Sequence, residues 1–136
     1  MFARRILILS SSTGGGHDMR AAALSEWIER VHKDSVSVER WQPLEESSCL
    51  DRFGVRLYNW IQRHAPWAHH LYYNFLEIAG LHRKACRIHG TERFLTRLIA
   101  FKPDVIVSTH AHLNHGYFEL AKDCLGSGVR CLTYCG

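Results

Sequence analysis

Two polar clusters in this chain hold residue types that can do chemistry. The first is Ser10-Ser11-Ser12-Thr13-Gly14-Gly15-Gly16-His17, directly after the apolar run Ile6 to Leu9. The second is Ser108-Thr109-His110, directly after Val105-Ile106-Val107. Histidine is the side chain whose ordinary pKa lies nearest neutrality, so one placed beside a reactive hydroxyl can act as a general base. His17 and His110 both stand beside hydroxyls, and either could serve as that base. Thr13, Gly14, Gly15 and Gly16, together with Thr109 and His110, are the candidates for holding an acceptor or a phosphate. Glycines accept positive φ and leave no Cβ between backbone and ligand. A helix starting just beyond them would add free N–H groups and a positive dipole end. The competing reading is structural: a tight strand-to-helix turn, with His110 capping the next helix and His112 and His115 on a helix surface.

Several chemistries are absent from the pattern. A P-loop needs Lys-Ser/Thr after its last glycine, and His17-Asp18 stands there instead. The dinucleotide pattern GxGxxG is met at Gly14 and Gly16 only, with Met19 in the third place. His69-His70 has no partner one helical turn away, so no metal site is expected. Cys49, Cys86, Cys124, Cys131 and Cys135 form no CxxC, and they read as buried free thiols rather than a disulfide framework.

The elements that must position the two clusters follow from hydrophobic period. The 136 residues suit one domain, 1–136. Residues 4–10 read as a buried strand. Ala21, Leu24, Trp27, Ile28 and Val31 recur at helical spacing over 17–31, and 35–41 alternates as a second strand. Strand, helix and strand in this length make a right-handed βαβ unit. From Ser47 to Phe101 the pattern is helical, with faces Phe53/Leu57/Trp60/Ile61, Leu71/Phe75/Ile78 and Phe94/Leu95/Leu98/Ile99, interrupted at Pro66. The α/β pattern resumes with a strand at 105–108, a helix over 113–125 and a strand at 129–134. The fold class is α/β: a Rossmann-like parallel sheet with helices on both faces and a helical insert between the second and third strands. In such sheets ligands bind beyond the carboxyl ends of the strands, at a topological switch point, and both polar clusters lie at such ends. A chain stopping on a strand suggests the N-terminal part of a longer two-domain protein.

A formal charge of +4 with ten histidines favours anionic partners. The insert concentrates it: Arg52, Arg56, Arg63, Arg83, Lys84, Arg87, Arg93, Arg97 and Lys102 are interleaved with Tyr58, Trp60, Trp67, Tyr72, Tyr73 and Phe75. Cations beside amphipathic rings suit an anionic membrane interface, and these six aromatics are the lipid-facing candidates. The alternative is that the aromatics are core and the arginines a solvated face. No nucleic-acid motif occurs, so nucleic acid is not an expected partner. No apolar run approaches the roughly 20 residues of a membrane span. No signal peptide is evident. The expected location is cytoplasmic, peripheral on a membrane.

Three stretches resemble one family. They are Ile6 to Leu24, then Leu57-Tyr58-Asn59-Trp60 with Ala65-Pro66-Trp67 and Leu71-Tyr72, then Phe101 to His110. Together they are similar to the monogalactosyldiacylglycerol synthases and the related processive diacylglycerol glucosyltransferases. The resemblance implies the N-terminal half of a GT-B fold, binding diacylglycerol or a similar lipid acceptor. A C-terminal domain would hold the UDP-sugar donor. It implies inverting hexosyl transfer, no metal and no cofactor beyond the nucleotide-sugar substrate, with His17 as base or acceptor-site residue and Tyr58 to Phe75 near the membrane. The chain by itself is then not expected to catalyse transfer. Ala111 stands where that family often has proline. Two other readings stay open: a dinucleotide-binding oxidoreductase domain, in which Glu39 would hold a ribose hydroxyl, and a non-catalytic membrane-surface binding module.

Overall fold

A computed structural model describes residues 4–47, 49–78 and 91–134. Four strands, β1 (Arg4–Leu9), β2 (Val36–Trp41), β3 (Val105–Ser108) and β4 (Arg130–Thr133), form one parallel sheet in the order β2-β1-β3-β4. The aliphatic runs Ile6 to Leu9 and Val105 to Val107 suit strands buried on both faces. Register sets Leu9 level with both Trp41 and Ser108. The chain therefore leaves β1 and β3 at one height. Thr109 donates its N–H to the Leu9 carbonyl at 2.9 Å, and Ser10 to the Trp41 carbonyl at 3.0 Å.

Six helices accompany the sheet in the described residues: α1 (Gly16–His32), α2 (Pro43–Ser47), α3 (Cys49–His64), α4 (His69–Ile78), α5 (Thr91–Phe101) and α6 (Tyr117–Leu125). Successive side chains of a strand point to opposite faces. Leu7 and Leu9 accordingly join Trp41, Phe94, Leu98, Ile106, Tyr117 and Ala121 under α5 and α6. Ile8 packs on the other side against Ala21 and Ile28 of α1. The fold is thus Rossmann-like α/β, with helices on both faces and α2 to α5 inserted between β2 and β3.

Local differences from the sequence reading have physical causes. Trp27 and Val31 do not share the buried face of α1: they are 58% and 53% exposed. The buried line runs Ala21, Ser25, Ile28, and at 3.6 residues per turn Trp27 points about 100° away from Ile28. The helix expected from 113 begins at Tyr117, because Ala111–Leu113 forms a 3-10 turn and Gly116 takes φ 89°. Cys124 and Cys131 are free and half-buried. Cys86 and Cys135 lie outside the described residues, as does the side chain of Cys49.

Candidate functional site

The order β2-β1-β3-β4 makes the gap beyond β1 and β3 the switch point, and both polar clusters meet there. Gly14 has φ 68° and Gly15, the N-cap of α1, φ 75°, conformations that side chains other than glycine rarely adopt. Gly16 has no such constraint. A Cβ on any of the three would meet no atom within 4 Å, so open space lies above the loop.

Most loop N–H groups are already committed. Ser12 N–H donates to Glu45 Oε1 at 2.7 Å, Thr13 N–H to Ser11 Oγ at 3.3 Å, Gly14 N–H to Asn59 Oδ1 at 2.8 Å and Gly15 N–H to the Ser12 carbonyl at 3.2 Å. The Ser11 and Ser12 hydroxyls also donate to Glu45 Oε1, at 3.0 and 2.9 Å. A carboxylate of the chain itself thus takes the Ser12 N–H and two serine hydroxyls, and the other three N–H groups named go to uncharged acceptors of the chain. What remains is the first turn of α1, whose N–H groups have no preceding helical carbonyl.

His17 sits in that turn, locked to β3. Its Nδ1 is 2.6 Å from the Thr109 carbonyl, and the buried Thr109 hydroxyl donates back to the His17 carbonyl at 3.1 Å. A carbonyl only accepts, so Nδ1 carries the proton and the neutral ring has its lone pair on Nε2. His110 stands alongside, ring centroids 4.3 Å apart. Its Nδ1 accepts the His112 N–H at 3.3 Å, which places its own proton on Nε2, 3.2 Å from Thr13 Oγ1. Thr13 Oγ1 lies 2.7 Å from Ser11 Oγ, which donates on to Glu45. The bonds run in one direction from His110 to the Glu45 carboxylate. Burial, then the neighbouring His17 and His112 imidazoles, push the His110 pKa down to about 4, so this ring is neutral at pH 7.

Thr13, Thr109, His110 and His17 are therefore brought together. Glu45 was not among the residues singled out from the sequence, and Asn59 stood there only within the stretch Leu57 to Trp60 that carries the family resemblance, with no role given to it. No spacing rule marks them, because each reaches the loop from more than 30 positions away.

A comparison with curated proteins bears on this site. The chain is 28% identical, over 120 residues, to a protein of spinach (Spinacia oleracea) named monogalactosyldiacylglycerol synthase, chloroplastic. The match covers 82% of this chain and 22% of that protein. It supports a distant relationship to a glycosyltransferase. No protein-family model matches the chain, and no solved structure matches it.

The oxidoreductase reading is not favoured. Glu39, its ribose-binding candidate, accepts the Trp41 indole N–H at 2.7 Å, and Met19, in the third glycine's place, is 75% exposed. On the β2 side of α1, Asp18 Oδ1 accepts from Ser10 Oγ at 3.2 Å and Gln42 Nε2 at 2.8 Å. Among the described residues no group of three His, Cys, Asp or Glu side chains converges as a metal site.

The aromatic candidates divide. Trp60 and Trp67 project outward, with Trp60 stacked on His64 at 5.4 Å. Tyr58 and Tyr72 are half-buried against each other, rings 5.8 Å apart, with Tyr58 also packed on His69. Tyr73 and Phe75 lie on α4, but their side chains are outside the described residues. Phe53, Leu57 and Trp60, at i, i+4 and i+7 of α3, are exposed together, while Val55 and Asn59 turn inward. None of the described helices is long and apolar enough to cross a membrane.

Proposed function

We propose that this chain is the acceptor-binding domain of an inverting glycosyltransferase, which passes a hexose from a UDP-sugar to the hydroxyl of a lipid such as diacylglycerol. The UDP-sugar would be held mainly by a second, C-terminal domain, so that the chain alone does not turn over. The observation that carries the reading is the 2.6 Å contact of His17 Nδ1 with the Thr109 carbonyl, which commits Nδ1–H to that acceptor and leaves the Nε2 lone pair of the neutral ring for the acceptor hydroxyl. In the reaction Nε2 takes the proton of the acceptor hydroxyl as its oxygen bonds to the sugar C1. The bond from C1 to the UDP oxygen breaks, and its electron pair leaves with UDP.

Two features favour a neutral hydroxyl over a phosphate at this place. Glu45 already takes the Ser12 N–H and the Ser11 and Ser12 hydroxyls, and a neutral His110 brings no charge to attract an anion. That neutrality also spares the His17 imidazolium a like-charged neighbour after it takes the proton. The distant likeness to the spinach synthase points the same way. The exposed apolar stripe of α3, beside Arg56 and Arg63, would lie on an anionic membrane surface and bring the lipid acceptor to the loop.

Diethyl pyrocarbonate, which acylates an unprotonated imidazole nitrogen, tests the site. His17 should be modified in the free chain and protected by anionic vesicles that contain diacylglycerol, and much less by the same vesicles without it. Inorganic phosphate should give no protection. Equal protection by phosphate, or none from diacylglycerol, would count against the reading.

A further inference from the structure

The insert grips the glycine loop at two places, Glu45 on the serines and Asn59 on Gly14 and the Ser12 carbonyl. The Asn59 amide makes two bonds to backbone groups across the loop: Oδ1 accepts the Gly14 N–H at 2.8 Å, and Nδ2 donates to the Ser12 carbonyl at 3.1 Å. Gly14 itself has a positive φ and no side chain to pack, and the Asn59 amide is the side chain that holds its N–H. Val55, one turn earlier on the same face of α3, is 7% exposed, so this face of the helix is the one that packs inward. The residues on either side of Asn59 are Tyr58 and Trp60, and Trp60 is 56% exposed on the outer stripe. One helix thus presents its outer face to the surroundings and holds the glycine loop with its inner face.

We propose that Asn59 is a positioning residue that ties the glycine loop, and through it His17, to the outer face of α3, so that binding of a lipid surface there steadies the loop. The first half rests on the two bonds alone. The second half rests on the membrane reading given above. Contact on the outer face restrains the helix axis, and the paired bonds pass that restraint to Ser12 and Gly14, two residues from the N-terminus of α1.

Amide hydrogen exchange of the whole chain tests both halves. In Asn59→Leu the Gly14 amide should exchange about tenfold faster, the effect of losing one such bond. In Asn59→Asp, which keeps the acceptor for Gly14 but sets a carboxylate oxygen against the Ser12 carbonyl, Gly14 should exchange faster than in wild type. If Gly14 exchanges alike in Asn59→Leu and wild type, Asn59 does not hold the loop. Anionic vesicles of phosphatidylglycerol in phosphatidylcholine should then slow Gly14 exchange in the wild type by about fivefold, the low end for coupled sites. They should leave it unchanged in Asn59→Leu. Vesicle binding that leaves wild-type Gly14 unchanged overturns the coupling. Failure of the vesicles to bind removes the membrane reading, and the coupling with it, while the two variants still decide whether Asn59 positions the loop.

Discussion

At the scale of single residues, two histidines one ring apart are given different duties by their hydrogen bonds. His17 keeps a free Nε2, whereas both nitrogens of His110 are engaged. The lowered His110 pKa has a consequence for stability. Between its ordinary value of 6.5 and about 4, the unfolded chain binds a proton at His110 that the folded chain refuses. Stability contributed by the neutral ring is therefore complete above pH 6.5 and is lost as pH falls towards 4. Because His110 is only partly buried, the loss is on the order of 1 kcal/mol. Thermal melts between pH 7 and 4.5 should show a steeper decline for wild type than for His110→Gln, and parallel declines would contradict this origin. The hydroxyl, glycine and histidine content of the loop was legible in the sequence, because residue type alone announces it. The use to which the loop donors are put was not, because Glu45 and Asn59 find them only through tertiary packing.

At the scale of elements, strand period and the βαβ spacing read correctly, since a run such as Ile6 to Leu9 buried on both faces has few alternatives. Helical faces were harder. The spacing of Phe53, Leu57, Trp60 and Ile61 marks an apolar stripe, but spacing does not say whether a stripe meets a core or the surroundings. In α3 the stripe faces outward, and the inner face is the mixed line through Val55 and Asn59. Within the insert, α5 goes the other way and buries Phe94 and Leu98 against the sheet, where Arg97 lies over the Trp41 ring at 4.3 Å. An exposed arginine near an anionic surface contributes about 1 kcal/mol, so Arg56→Gln should weaken binding to phosphatidylglycerol vesicles by roughly fivefold. Sedimentation at low and high salt checks this. The change should vanish in neutral vesicles, and its melting temperature should match wild type because Arg56 is exposed. Unaltered binding would mean that α3 does not lie on the membrane.

At the scale of the whole molecule, the sheet order turns two distant segments into one site. β1 and β3 are neighbours in space although α1, β2 and the insert separate them in sequence, and Thr109 closes the seam, its N–H bonding to Leu9 and its hydroxyl to His17. The α/β class and the meeting of the clusters were readable in advance because parallel crossovers and switch-point sites obey general rules. The open space over the glycines is where the proposed lipid acceptor would bring its hydroxyl. The proposed role of His17 is that of the base that activates the acceptor hydroxyl. Its most direct test is transfer of labelled hexose from UDP-galactose or UDP-glucose to diacylglycerol in anionic vesicles, by the protein that carries this chain, as wild type and as His17→Ala. Glycolipid should form with the wild type and fall by about 100-fold or more in the variant, the size of effect that a lost general base produces. Glycolipid formed at an equal rate by both, or by neither, would contradict it.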